Sequence, residues 1–157
     1  MKLRILIIFI IGLASTTGLQ SQSVNWISWT SLEQKMETSP KPVFIFVHTQ
    51  WCGWCKKMQE TTLKDPAISS LLNQNYYCVK LDAESKNPIK FNGNTYNFDA
   101  SFAGRKNGAH ELAVALLTRP IYPSSIFLDT KYRIAEIKNG SSNTENFKIL
   151  IENNIEQ

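Results

Sequence analysis

The chain has 157 residues and a formal net charge of +4; 43% of residues are apolar, 19% are charged, and there are only 7 glycines and 6 prolines. That composition excludes a disordered or collagen-like chain, and three cysteines are too few for the disulfide scaffold of a coreless secreted domain. The length suits one domain, and the basic residues are dispersed rather than clustered, which argues against a nucleic-acid partner.

Residues 1–22 read as a secretory signal peptide. Lys2 and Arg4 supply a basic start, Ile5 to Leu13 form an apolar run of nine, and Ala14, Ser15, Thr16, Thr17 and Gly18 offer a small, polar cleavage region. The apolar run is shorter than the roughly 20 residues that span a bilayer. No cysteine follows it before Cys52, so lipidation is not expected. Cleavage removes two basic residues and no acid, leaving residues 23–157 nearly neutral. The expectation is an exported monomer, periplasmic or secreted, that makes no membrane contact after cleavage and meets an oxidising compartment.

In chain order, Trp26 to Ser28 suggest a short first strand. Thr30 with Glu33 is a capping-box pattern and predicts a helix to about Glu37, broken by Ser39-Pro40-Lys41-Pro42. Val43 to Val47 (VFIFV) is a continuous β-rich apolar run, the pattern of a strand buried on both faces. Helical periodicity resumes at Cys52 and lasts to about Thr62. Asp65-Pro66 predicts the N-cap and first residue of another helix, ending near Asn73. Tyr76 to Asp82 is the next strand.

Residues 83–108 are polar, and within them Ile89-Lys90-Phe91 and Thr95-Tyr96-Asn97-Phe98 flank Asn92-Gly93, a type I′ hairpin signal. His110 to Leu117 is helical. Ser125 to Asp129 and Arg133 to Ile137 are strands joined by a turn, and Gly140 closes that pair. Thr144 to Asn153 is a C-terminal amphipathic helix. The order predicts an α/β fold, a central mixed sheet flanked by helices.

One motif carries chemistry. Trp51-Cys52-Gly53-Trp54-Cys55-Lys56 follows the buried strand and opens a helix. A cysteine at a helix N-terminus meets unpaired backbone N–H groups and the positive end of the helix dipole, both favouring thiolate. A second cysteine one turn later can attack a mixed disulfide formed at the first. Cys52 is therefore the candidate nucleophile and Cys55 the resolving thiol, with Gly53 allowing the tight turn. Two other readings stay open: a metal site, for which only Cys78, His48 and His110 could complete the ligands, and an inert structural disulfide.

At these residues the sequence resembles the thioredoxin-like superfamily, and WCGWCKKM followed by DPAISSLL and YYCVKLDAE resembles its exported bacterial thiol-disulfide interchange type. The resemblance implies a thioredoxin fold and disulfide exchange with protein thiols and disulfides, supplied by an upstream redox partner. No cofactor is implied beyond the Cys52–Cys55 pair, and no metal. Tyr122-Pro123-Ser124 resembles the cis-proline loop that faces the dithiol and pairs with substrate backbone, so Trp51, Gly53, Trp54, Tyr122 and Pro123 are candidate substrate contacts. The runner-up is a peptide- or metal-binding module on the same fold with little turnover.

The sequence departs from the family where thioredoxins carry a buried acid six residues before the nucleophile: Phe46 stands there. Lys80 and His48 are the candidates for proton handling in its place. Cys78 reads as a small buried core residue, His110 as a surface or capping residue, and Trp26 and Trp29 as core or edge packing. Residues 83–108 exceed the minimal pattern as a hairpin-containing insertion before the cis-proline loop. The expectation is that this hairpin flanks the dithiol and offers aromatic and basic side chains (Phe91, Tyr96, Phe98, Phe102, Lys90, Arg105, Lys106) to a protein substrate.

Overall fold

The computed structural model describes residues 23–102 and 108–155. The signal-peptide expectation for residues 1–22 and the basic pair Arg105 and Lys106 lie outside the described residues. Among the described residues, no helix is long and apolar enough to cross a membrane.

The fold is built on β1 (Val43–His48), whose apolar run is buried on both faces as its composition predicts. It pairs in parallel with β2 (Tyr77–Asp82) and antiparallel with β7 (Ser124–Leu128), which in turn pairs with β8 (Ile134–Asn139). The order β2-β1-β7-β8 is a mixed four-stranded sheet. Because side chains alternate along a strand, β1 feeds two cores. Val43, Ile45 and Val47 enter the core that holds Leu32 and Met36 of α1 (Trp29–Thr38), Phe91, and Leu112 and Ala113 of α4 (Glu111–Leu116). Phe44 and Phe46 enter the other. There they meet Cys55 and Met58 of α2 (Gly53–Glu60), Ile68 and Leu72 of α3 (Pro66–Asn75), and Phe147 and Ile151 of α5 (Thr144–Ile155). Asp65 caps α3 with Pro66 behind it, as the sequence predicts; its carboxylate accepts from Ala67 N at 2.9 Å.

Several expectations are corrected. The first strand reduces to a single parallel bridge of Trp26 to Cys78. Helix α1 starts two residues before the capping-box reading, because the Ser28 hydroxyl accepts from Ser31 N at 3.1 Å and caps it. Glu33 is then free for a longer reach and accepts from the backbone of Asn92 at 3.1 Å and from the Tyr132 hydroxyl at 2.8 Å.

The hairpin of β3 (Ile89–Phe91) and β4 (Asn94–Tyr96) turns through Asn92 and Gly93, both with positive φ, as a type I′ turn requires. Its tip does not flank the dithiol. Phe91 packs edge-on to Trp29 at 5.5 Å and Tyr132 at 4.7 Å, and Tyr132 lies in the β7–β8 turn at the far end of the sheet. Phe91 and Tyr96 belong to the first core rather than to an exposed face, since burying a large aromatic removes more apolar area from water than presenting it. The insertion continues through β5 (Phe98–Asp99) and β6 (Ala109–His110), which pair with each other, and His110 N reaches Ala83 O just past β2.

Candidate active site

Cys52 and Cys55 form a disulfide with S–S 1.99 Å and Cα–Cα 5.2 Å. The strand β1 delivers the chain to the C-terminal edge of the sheet, and Cys52 there becomes the N-cap of α2: its Sγ accepts from Cys55 N at 3.1 Å. A sulfur at this place faces the unpaired N–H groups of the first helical turn, the environment that stabilises a thiolate once the bond opens. Both sulfurs sit in the second core, Cys52 5% and Cys55 1% exposed. Cys55 is thus shielded while Cys52 lies at the boundary.

Two tryptophans stand on either side of Cys52 in the sequence, Trp51 before it and Trp54 between the two cysteines. Trp51 and Trp54 are 63% and 61% exposed, an unusual disposition for the largest apolar side chains. Trp51 packs edge-on to Tyr122 at 6.1 Å, and its indole Nε1 donates to both carboxylate oxygens of Glu84 at 3.1 Å. The Lys57 ammonium lies over the Trp54 ring at 5.1 Å. Tyr122–Pro123 is a cis peptide bond, as the family resemblance implies, and the Pro123 carbonyl accepts from Gly140 N at 2.8 Å. The structure thus brings Trp51 and Tyr122 together beside the dithiol, with Pro123 leading into β7. Gly53 is corrected in its role: its φ is not positive and an added Cβ would meet nothing within 4 Å, so the turn does not demand glycine. A bare surface beside the sulfurs is what this position provides.

Phe46 occupies the place of the absent acid, opposite Lys80 in β2 and Ser125 in β7. It is wholly buried, and His48 stacks on it with centroids 6.0 Å apart. Burial pushes the His48 imidazole down from its ordinary value against the opposing pull of Asp82, which disfavours its protonated form at the strand end. Lys80 donates to Gln59 Oε1 at 2.7 Å and lies over the Trp26 ring at 4.8 Å; burial lowers its pKa. A groove of about 890 Å³ along the β2 edge is lined by His48, Gln50, Lys80, Asp82, Ser85 and Ile89.

The remaining singled-out residues fall into structural places. Cys78 is a free, buried thiol in the second core, pushed up to about 12 by burial. Trp26 packs against Phe44 and Phe46, and Trp29 Nε1 donates to Lys80 O, covering the β2 edge. His110 is buried rather than at the surface and caps α4, its Nδ1 accepting from Leu112 N at 3.2 Å while Nε2 bonds Asn87 O at 3.1 Å. Among the described residues, no group of three or more His, Cys, Asp or Glu is arranged to hold a metal. The sequence reading missed Glu84, whose signal is an acid just beyond the strand that runs parallel to β1. It also missed Ser125, which lies one turn of the pleat past the cis-proline.

The Thioredox_DsbH family model, described as a protein of unknown function, DUF255, matches residues 16–138, well over half of the chain. The chain belongs to the Thioredox_DsbH family. A solved structure described as DsbH oxidoreductase superposes with a TM-score of 0.63 at 18% identity, covering 92% of each chain, which shows the thioredoxin-like fold. Among curated relatives, mouse spermatogenesis-associated protein 20 is 34% identical over 64 residues, 40% of this chain and 8% of that protein. Chlamydia pneumoniae disulfide bond reductase DsbH is 25% identical over 77 residues, 48% of this chain and 46% of that protein. The chain therefore spans less than half the length of either relative. Family and fold agree, and the Cys52–Cys55 disulfide in CxxC spacing sits at the start of α2 of this Thioredox_DsbH chain.

Proposed function

We propose that this protein is exported and exchanges disulfides with protein substrates through Cys52 and Cys55, acting as a monomer fed by an upstream redox partner. The observation that carries the reading is a disulfide whose first sulfur caps the N-terminus of α2 between two exposed tryptophans. The Cys52 thiolate attacks a substrate disulfide; Cys55 then attacks Cys52 Sγ and releases the reduced substrate. The dithiol carries both electrons, so no further cofactor takes part. Trp51, Trp54 and Tyr122 flank the exchange, with Pro123 presenting the adjoining backbone.

Export is supported by the signal-like pattern of residues 1–22. The reducing direction is supported by the disulfide bond reductase name carried by the Chlamydia relative. Insulin reduction by dithiothreitol tests the reading: the wild type accelerates it, Cys52→Ser does not, and Cys55→Ser accumulates a mixed disulfide. Equal rates for wild type and Cys52→Ser reject exchange and leave a binding module. An equilibrium potential near about −270 mV against glutathione supports a reductant, and one near about −120 mV overturns that direction.

A further inference from the structure

The serine pair after the cis-proline is unequally satisfied. Ser124 Oγ donates to Ile121 O at 2.7 Å and meets Asn139 Oδ1 at 2.9 Å. Ser125 is 1% exposed, and its Oγ has no hydrogen-bond partner. Buried hydroxyls are ordinarily satisfied, and one that is not points to an acceptor present in another state of the protein.

The position of Ser125 says which state. Side chains alternate along β7, so Ser125 shares a face with Phe127, which lies in the core that contains Cys52 and Cys55. Across the ladder Ser125 stands opposite Phe46, the residue that replaces the family's acid and brings no proton chemistry. In the oxidised form the two sulfurs are bonded to each other and carry no charge. Opening that bond leaves the Cys55 sulfur, itself 1% exposed, inside an apolar cluster where an unassisted thiolate is disfavoured. On this face Lys80 is held by Gln59 and Trp26, His48 stacks on Phe46, and the Cys55 N–H meets Cys52 Sγ. The Tyr76 and Thr49 hydroxyls are also buried without a partner, but of the three only Ser125 stands directly across the ladder from Phe46.

We propose that the Ser125 hydroxyl turns onto the Cys55 sulfur when the disulfide opens and holds it, by a donated hydrogen bond, as the resolving thiolate. In the reducing half-reaction the Cys52–substrate S–S bond forms as the substrate's own S–S bond breaks, and the first substrate sulfur departs as thiolate. The Cys55 proton passes to water or to that departing sulfur. The Cys55 thiolate attacks Cys52 Sγ, the Cys52–Cys55 bond forms, and the second substrate sulfur leaves; two electrons have passed to the substrate. Ser125 keeps its own proton throughout, which makes it a positioning residue rather than an acid or base.

The inference rests on the redox reading of Cys52–Cys55, and its test is chosen to fail separately. In the reduced protein, the cysteine Cβ resonances are titrated by NMR in wild type, S125A and S125T. The midpoint of the Cys55 titration rises by about one pH unit in S125A and returns in S125T, which keeps a hydroxyl. Decay of the mixed disulfide at neutral pH slows by about tenfold in S125A for the same reason. A Cys55 midpoint unchanged in S125A overturns the proposal, as does a rise that S125T fails to reverse, since packing alone would then explain it. Absence of insulin reduction by the wild type rejects the redox reading, while the titration still reports on Ser125.

Discussion

The Trp51 indole donates to both carboxylate oxygens of Glu84, at 3.1 Å each, so the last residues before Cys52 are tied to the chain just beyond β2. That bond, with Tyr122 edge-on at 6.1 Å, fixes an exposed aromatic surface beside the sulfurs. Hydrogen bonds to charged groups at exposed sites are modest, so Glu84→Ala is expected to lower kcat/KM for a protein disulfide by about 3- to 10-fold. The rate with a small disulfide should hold, because the small molecule does not need the platform. Equal losses with both substrates would refute a role in partner recognition, and unchanged Trp51 fluorescence would show that Glu84 does not hold the ring.

Phe46 answers a different question, since it fills the place of an acid with packing. Its ring lies 6.3 Å from Trp26 and 6.0 Å from His48 in a core closed to water. Phe46→Ala should therefore destabilise the fold by about 3–5 kcal/mol, read as a lower urea midpoint with an unchanged m-value. A loss under about 1 kcal/mol would mean that the site collapses around the missing ring.

His110 makes stability depend on pH. Its Nδ1 accepts from Leu112 N, so Nε2 carries the proton and donates to Asn87 O, a neutral tautomer. Burial lowers its pKa, against the smaller opposing pulls of the Asn87 carbonyl and the Glu111 and Asp82 carboxylates. The folded state then binds fewer protons than the unfolded state just below the ordinary value of 6.5, and stability falls as pH falls through that region. His48 is shifted in the same direction and adds to the slope. His110→Asn, which can still cap α4 without titrating, should flatten the decline in Tm between about pH 7 and 5. His110→Ala should cost about 1 kcal/mol at pH 7 through the lost cap. An unflattened profile in His110→Asn would assign the whole dependence elsewhere.

Glu33 joins α1 to the hairpin tip and to the β7–β8 turn through Asn92 N and Tyr132 Oη. Glu33→Ala is expected to cost about 1–2 kcal/mol of stability, seen in chemical denaturation, while insulin reduction by the folded enzyme stays within error of wild type. A selective loss of turnover on protein substrates would restore the hairpin as a recognition element.

The sheet and its helices were legible because β1 is a run of five apolar β-formers, Asp65-Pro66 marks a helix start, and Asn92-Gly93 marks a type I′ turn. Each of these signals is local. The placing of Cys52 and Cys55 as a pair at a helix start was legible for the same reason: spacing and position are both local. What the sequence hid is long-range. Ser28 rather than Thr30 caps α1, and Glu33, which a capping box would turn back onto the helix, instead reaches Asn92 and Tyr132, 59 and 99 residues away. The hairpin's aromatic residues looked available to a substrate because nothing nearby in sequence shows that Tyr132 and Trp29 receive Phe91. Glu84 and Ser125 enter the site only through strand pairing, which places the ends of β2 and β7 on either side of β1.

Cys78 gives the chain an odd number of thiols, a hazard for any protein whose own sulfurs pass through mixed disulfides. Paired into β2 opposite Phe44, enclosed, and pushed up to about 12 by burial, it stays protonated at neutral pH. Buried and protonated, it is poorly placed to attack the Cys52–Cys55 bond or to be captured by a partner. Fidelity of exchange is thus a property of the folded sheet: scrambling is open only to chains in which β2 has not yet docked on β1.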